Sequence, residues 1–274
     1  MKSKAQLTLC AALPIVLGAG AALYHSRLVS ACTDPATGQI INGMSGTLTP
    51  FFIAAGGCAV VFLLMALWGR RTGLQFGLRR ADTAGKTVRV CAAMLLFVAA
   101  ALTLLQSGQI TLIVILKGVF LAACGVSAIA FVKADSLMSK GMCSLFPLFF
   151  VSIYLLGFYR DSARNPLTGT YAFEILSIIA LMLALYLSSA VWFDKKRPIG
   201  LLFFAMSATF GYFCSLLGAL LSVNFAAHYL PVGLADALLC PSLLLLVWCD
   251  IFDAVRPLPL QPQDEEAAPE SGEK

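Results

Sequence analysis

Three ionisable side chains stand where a membrane-spanning helix would place hydrocarbon: Lys117 in TLIVILKGVF, Glu174 in TYAFEILS and Asp236 in LPVGLADALL. Inside apolar spans such residues are rare, and they mark ion pairs, solute sites or proton relays. A lone Lys or Asp at the centre of a span costs about 2.5–3.5 kcal/mol on insertion scales, so each is expected to find a partner or to reach toward the interface. Lys117 lies about seven residues into its apolar run, roughly 10 Å deep at 1.5 Å per residue, and Asp236 lies at a similar depth in its own. The expected chemistry is a Lys117–Asp236 pair, able to open when a solute competes for either partner. Glu174, about one turn into its run, is an alternative partner for Lys117. An acid in a first helical turn is also favoured by the helix dipole alone, and that structural role is the preferred reading of Glu174.

Further polar residues gather near the same side of the chain: His25, Asp34, Arg160, Asp161, Arg164, Asn224 and His228. They read as an outer mouth above the three deeper charges. His25, His228 and a carboxylate have no ligand spacing of a known metal site, so no metal centre is expected. Arg160 and Arg164 suit an anionic solute, but cations at a helix C-terminus also complement the dipole, and the dipole reading is preferred.

The elements that must position these groups follow from composition. Hydrophobic residues make up 59% of the 274 and charged residues 12%, about half the usual share for a soluble domain. Short alternating segments of the kind that build a membrane β-barrel do not occur. Eight apolar runs are long enough to span a bilayer: Leu7 to Tyr24, Pro50 to Trp68, Val88 to Leu105, Ile110 to Val132, Met142 to Tyr159, Tyr171 to Phe193, Ile199 to Val223 and Leu230 to Phe252. The expected fold is therefore all-α, a polytopic membrane helix bundle of about eight transmembrane helices occupying residues 1–256. Residues 257–274 read as a disordered, acidic, Pro-rich cytoplasmic tail. Seven of the nine cysteines fall within or at the ends of apolar runs, Cys143 begins one, and only Cys32 lies in an outward loop. With no CxxC motif, they read as small buried hydrophobes, not as a disulfide or zinc framework.

Lys and Arg orient the bundle. With the N-terminus in the cytoplasm, fourteen fall on the inner side, among them Arg70, Arg71, Arg79, Arg80, Arg89, Lys140 and Lys195 to Arg197, and three on the outer side, Arg27, Arg160 and Arg164. That asymmetry predicts both termini in the cytoplasm, and the plasma membrane is the expected location. The basic, small-residue-rich start resembles a signal peptide, yet its lysines are needed to set this topology, so a retained first helix is expected. The basic loop from Arg70 to Arg89 reads first as a topology anchor and second as a contact for anionic lipid.

Two echoes suggest an internal repeat. NGMSGTL at Asn42 and NPLTGTY at Asn165 are 123 residues apart, and the same offset brings the fourth span nearly onto the eighth. Lys117 and Asp236 then differ by four positions, one helical turn. The reading is a 4+4 parallel repeat with halves 1–132 and 133–256. Competing with it, Asn, Pro, Gly, Ser and Thr are common to any turn entering a helix, and DPATG at Asp34 matches NPLTG at a different offset.

Function is read more coarsely. With no soluble domain among these residues, an attached ATPase, kinase or nucleic-acid module is not expected. The favoured reading is a small-solute transporter or permease with an outward-facing polar pocket, its partners being the lipid bilayer and a small-molecule solute, without a cofactor and without nucleic acid. The alternative is a non-catalytic membrane subunit, sensor or scaffold. An intramembrane enzyme is least favoured, since no HExxH, paired Asp or deep Ser–His arrangement is found. A transporter predicts a cavity reaching Lys117 and Asp236, and a scaffold predicts a packed centre with the pair sealed.

Overall fold

In a bilayer each backbone N–H and C=O must be satisfied within its own segment, so apolar runs of this length fold as helices. The structure, a computed structural model, describes residues 2–32, 49–71, 83–106, 112–163, 171–193, 197–221 and 234–255. Among them eight helices follow one another: α1 (Lys2–Cys32), α2 (Thr49–Arg71), α3 (Thr83–Gln106), α4 (Leu112–Lys133), α5 (Leu137–Ala163), α6 (Tyr171–Trp192), α7 (Pro198–Leu221) and α8 (Leu234–Val255). Each holds a stretch long and apolar enough to cross a membrane. The shortest have 22 residues, about 33 Å at 1.5 Å per residue, which matches a hydrocarbon core of about 30 Å. The protein is thus a multi-pass membrane protein with eight candidate spans.

The surface fits that conclusion. Ile53, Val60 and Leu64 on α2, Leu112, Val119 and Val126 on α4, and Phe149 and Leu156 on α5 are all well exposed. In water, large apolar side chains exposed in such rows would be an association hazard, whereas in a bilayer they are the lipid-facing surface.

α7 packs against α1, α2, α6 and α8. α8 touches α1, α3, α6 and α7, and α3, α4, α5 and α6 follow one another around to close a ring with it. Over their most apolar windows α6 and α8 are 56% buried and α2 only 17%, so the first two are central and α2 is peripheral. Small residues set the close approaches. A Cβ on Gly125 of α4 would lie 3.2 Å from the Ala93 carbonyl oxygen of α3, and Gly118 faces Leu104 of the same helix. The Gly118, Ala122, Gly125 stripe is therefore the α3 contact, with Lys117 beside it. On α7 two glycines face different neighbours: Gly211 meets Ser177 of α6, and Gly218 faces His25 and Ala22 of α1.

Helix neighbours differ between the two halves. α6 packs along α7, but α2 does not pack along α3. α3 packs along α8, but α7 does not pack along α4. The 4+4 repeat gains no support from this packing.

Alternation of the helices gives the bundle two ends. The starts of α3, α5 and α7 meet the ends of α4, α6 and α8 at one, called here the Arg89 end. The starts of α2, α4, α6 and α8 meet the ends of α1, α5 and α7 at the other, the Lys117 end.

Candidate functional site

One face of each of four helices converges on a cavity toward the Lys117 end. The spacing is helical throughout: Tyr154 and Phe158 on α5; Glu174, Ser177, Ile178 and Leu181 on α6; Ala208, Gly211, Tyr212 and Ser215 on α7; Asp236, Cys240 and Leu244 on α8. Residues three or four apart share a helix face, so these stripes form four walls. The cavity measures about 80 Å³, room for several water molecules at the threshold of about 10–15 Å³ for one. Apolar walls with a few converging polar groups are the general form of a small-molecule site.

Asp236 accepts a hydrogen bond from Lys117 Nζ at 2.6 Å. The pair forms between helices that do not pack along one another, because the lysine stem carries its ammonium across to α8. On the way the ammonium sits 5.2 Å from the centroid of the Tyr154 ring, a favourable cation–π position. The side chains are 28% and 14% exposed, so the pair is only partly buried by the described residues. Asp236 stands in the first turn of α8. There the carboxylate also gains from the helix dipole.

Glu174, in the first turn of α6, is nine-tenths buried and lines the same cavity. Its carboxyl makes no hydrogen bond or ion pair among the described residues, so it is not Lys117's partner.

Pro241 contributes through its missing N–H. In a regular helix residue 241 would donate to the carbonyl of Ala237, and proline cannot. Tyr212 of α7 donates its hydroxyl to that carbonyl instead, at 2.6 Å. This bond holds the ring against the cavity and ties α7 to α8.

At the opposite end lies a second charge cluster that the sequence reading did not single out. Arg89 of α3 donates from Nη2 to Asp250 at 2.5 Å and from Nη1 to Asp253 at 2.6 Å, both on α8. Ser188 of α6 donates its hydroxyl to the other oxygen of Asp250. The Phe131 ring lies 4.5 Å from the guanidinium carbon and packs edge-on against Trp192. Lys140 of α5 approaches the same two rings, at 6.0 and 5.7 Å. Arg89 and Lys140, counted above with the inner side, are 2% and 6% exposed. Arg89 is the second residue of its apolar run, and α3, starting at Thr83, sets it more than a turn inside the helix, while α5, starting at Leu137, extends beyond its run and carries Lys140 into the packing.

The expected outer mouth is corrected at His25. α1 continues to Cys32, so His25 lies two turns inside it and is 2% exposed. Its ring packs against Phe51 of α2 at 4.6 Å and Phe173 of α6 at 6.2 Å, inside the bundle and not at an opening. Arg160 is exposed near the end of α5. Asp161 follows it in that helix, its side chain outside the described residues. Arg164, His228, Asp34 and Asn224 lie outside them altogether, as do Asn42, Asn165 and the 257–274 tail.

No family model, no curated protein and no solved structure matches this chain.

Proposed function

We propose that the protein is a small-solute transporter whose binding cavity lies between α5, α6, α7 and α8. The observation carrying this reading is a cavity lined by Asp236, whose ion-pair partner Lys117 is partly exposed. A solute that competes for Asp236 releases Lys117 and with it the link between α4 and α8. A scaffold would have no use for such a space beside a partly exposed pair. Catalysis is not part of the reading: Ser188 is the hydroxyl hydrogen-bonded to an acid, but Asp250 is already engaged by Arg89.

The orientation proposed places both termini in the cytoplasm of the plasma membrane, with the Lys117 end outward. Setting aside the buried Arg89 and Lys140, twelve basic residues remain inside against three outside, so the charge bias that supports it survives without them.

The test is a thermal-stability screen of the purified full chain against metabolites and ions, followed by counterflow of any stabilising solute in proteoliposomes. Saturable counterflow, lost in Lys117→Ala and Asp236→Ala proteins that still fold, is the expected result. A solute carried equally well by both variants would overturn the assignment of this site.

A further inference from the structure

We propose that the solute is a small organic amine, bound as its ammonium ion with the charge on Glu174 and the carbon body against the apolar walls. This deepens the transport reading of the same cavity and rests on it.

Charge balance is the first argument. Two carboxyl groups line the cavity, Glu174 and Asp236, and the one ammonium beside them, that of Lys117, is paired with Asp236. The ammonium is already placed, 2.6 Å from Asp236 Oδ1. Glu174 is left over, nine-tenths buried and with no hydrogen bond or ion pair among the described residues. Buried carboxylates are ordinarily paired, because an uncompensated one loses its hydration without replacement. A cationic ligand supplies the missing partner.

The walls then select among cations. Tyr154, Phe158 and Tyr212 offer rings, which attract ammonium groups through their faces. Tyr154 already receives Lys117 in this way, while the Tyr212 hydroxyl is committed to the Ala237 carbonyl. Metal cations such as calcium and magnesium are bound by six or more oxygens, and a cavity with apolar walls and few oxygens does not offer such a cage. Ile178, Leu181 and Leu244 suit a hydrocarbon body instead. A volume of about 80 Å³ accommodates a body of a few carbon atoms.

The experiment measures binding and transport separately on the full chain, using propylammonium, its neutral counterpart 1-propanol, and sodium. In nanodiscs, propylammonium is expected to raise the thermal midpoint saturably, and neither 1-propanol nor sodium to do so at equal concentration. Glu174→Gln, which keeps shape and removes charge, is expected to weaken propylammonium binding about tenfold or more. Equal stabilisation by 1-propanol or sodium overturns the proposal even if the variant does not fold. Unchanged propylammonium affinity in a folded Glu174→Gln protein also overturns it, and Glu174 is then a buried acid without a ligand. Counterflow in proteoliposomes separates the two readings. Glu174-dependent binding without counterflow removes the transport reading and leaves the amine site. Counterflow of a neutral or anionic solute indifferent to Glu174→Gln keeps transport and removes the amine.

Discussion

Replacing Arg89 with leucine is the perturbation whose outcome the structure constrains most tightly. The guanidinium is 2% exposed and lies 2.5 and 2.6 Å from two carboxylates that are themselves 9% and 3% exposed. At such separations each contact is worth about 6 kcal/mol of Coulomb energy with an effective dielectric constant near 20. Much of this is offset by the desolvation of all three groups, so the useful magnitude is the cost of removing one partner, about 3–5 kcal/mol. Arg89→Leu leaves Asp250 and Asp253 facing each other near the C-terminus of α8, where the helix dipole disfavours negative charge. Ser188 can satisfy only part of one of them. We therefore expect a loss of about 3 kcal/mol or more in equilibrium unfolding in mixed micelles, followed by far-ultraviolet circular dichroism. Asp250→Asn or Asp253→Asn alone, which leaves Arg89 one carboxylate, is expected to cost less, about 1–2 kcal/mol. Leucine at all three positions is expected to recover most of the Arg89→Leu loss, since well-packed apolar residues can replace a buried ionic cluster. A loss below about 1 kcal/mol for Arg89→Leu, or no recovery in the triple variant, would refute the reasoning that Arg89 is held in the bundle by these two acids.

Two further predictions concern the Lys117 end. In a double-mutant cycle, Lys117→Ala and Asp236→Ala are expected to couple by about 1–2 kcal/mol in the same unfolding assay, less than the Arg89 cluster because the pair is partly exposed. Coupling near zero would mean that the two side chains meet without holding α4 to α8. Tyr212→Phe is expected to cost about 1 kcal/mol in the native background and nearly nothing beside Pro241→Ala, where residue 241 regains its N–H and serves the Ala237 carbonyl itself. Equal costs in the two backgrounds would remove the proline from the account of how Tyr212 is held.

What could be read from the sequence divides along physical lines. The spans were legible because hydrocarbon of fixed thickness demands apolar runs of a minimum length, and all eight runs appear as helices. The Lys117–Asp236 pair was legible for a related reason: a charge inside an apolar run must be answered, and few candidates were available to answer it. Arg89 was hidden by its own flank. It stands near a basic loop and reads as one more topology signal, yet α3 begins six residues earlier and carries it inside. WCDIFDAV did hold a clue, since Asp250 and Asp253 are three apart on one face in a helix-ending stretch where acids are disfavoured without a cation. His25 was misplaced by the opposite error, an apolar run ended too early on a helix that continues to Cys32. The role of Pro241 was beyond reach, because a proline announces a free carbonyl but not which neighbouring helix supplies the donor.

The two charge clusters share α8, and their inequality bears on how a transport cycle of the proposed kind would run. At the Arg89 end α8 is tied to α3 by two ionic contacts, supported by Ser188 of α6 and covered by Phe131 of α4. At the Lys117 end it is tied to α4 by one, with the lysine 28% exposed and, among the described residues, no extensive helix-to-helix packing behind it. A solute entering from the Lys117 side has one contact to replace, and it can do so by offering its own charge to the cavity's carboxylates. Opening the Arg89 end would require three buried charged groups to separate. The first movement is therefore expected at the Lys117 end, with α4 parting from α8 while α3 and α8 stay together. Spin labels on α4 and α8 near the Lys117 end should then separate on solute binding, while a pair on α3 and α8 near the Arg89 end should keep its distance. Movement confined to the Arg89 pair would reverse the order of events argued from these contacts.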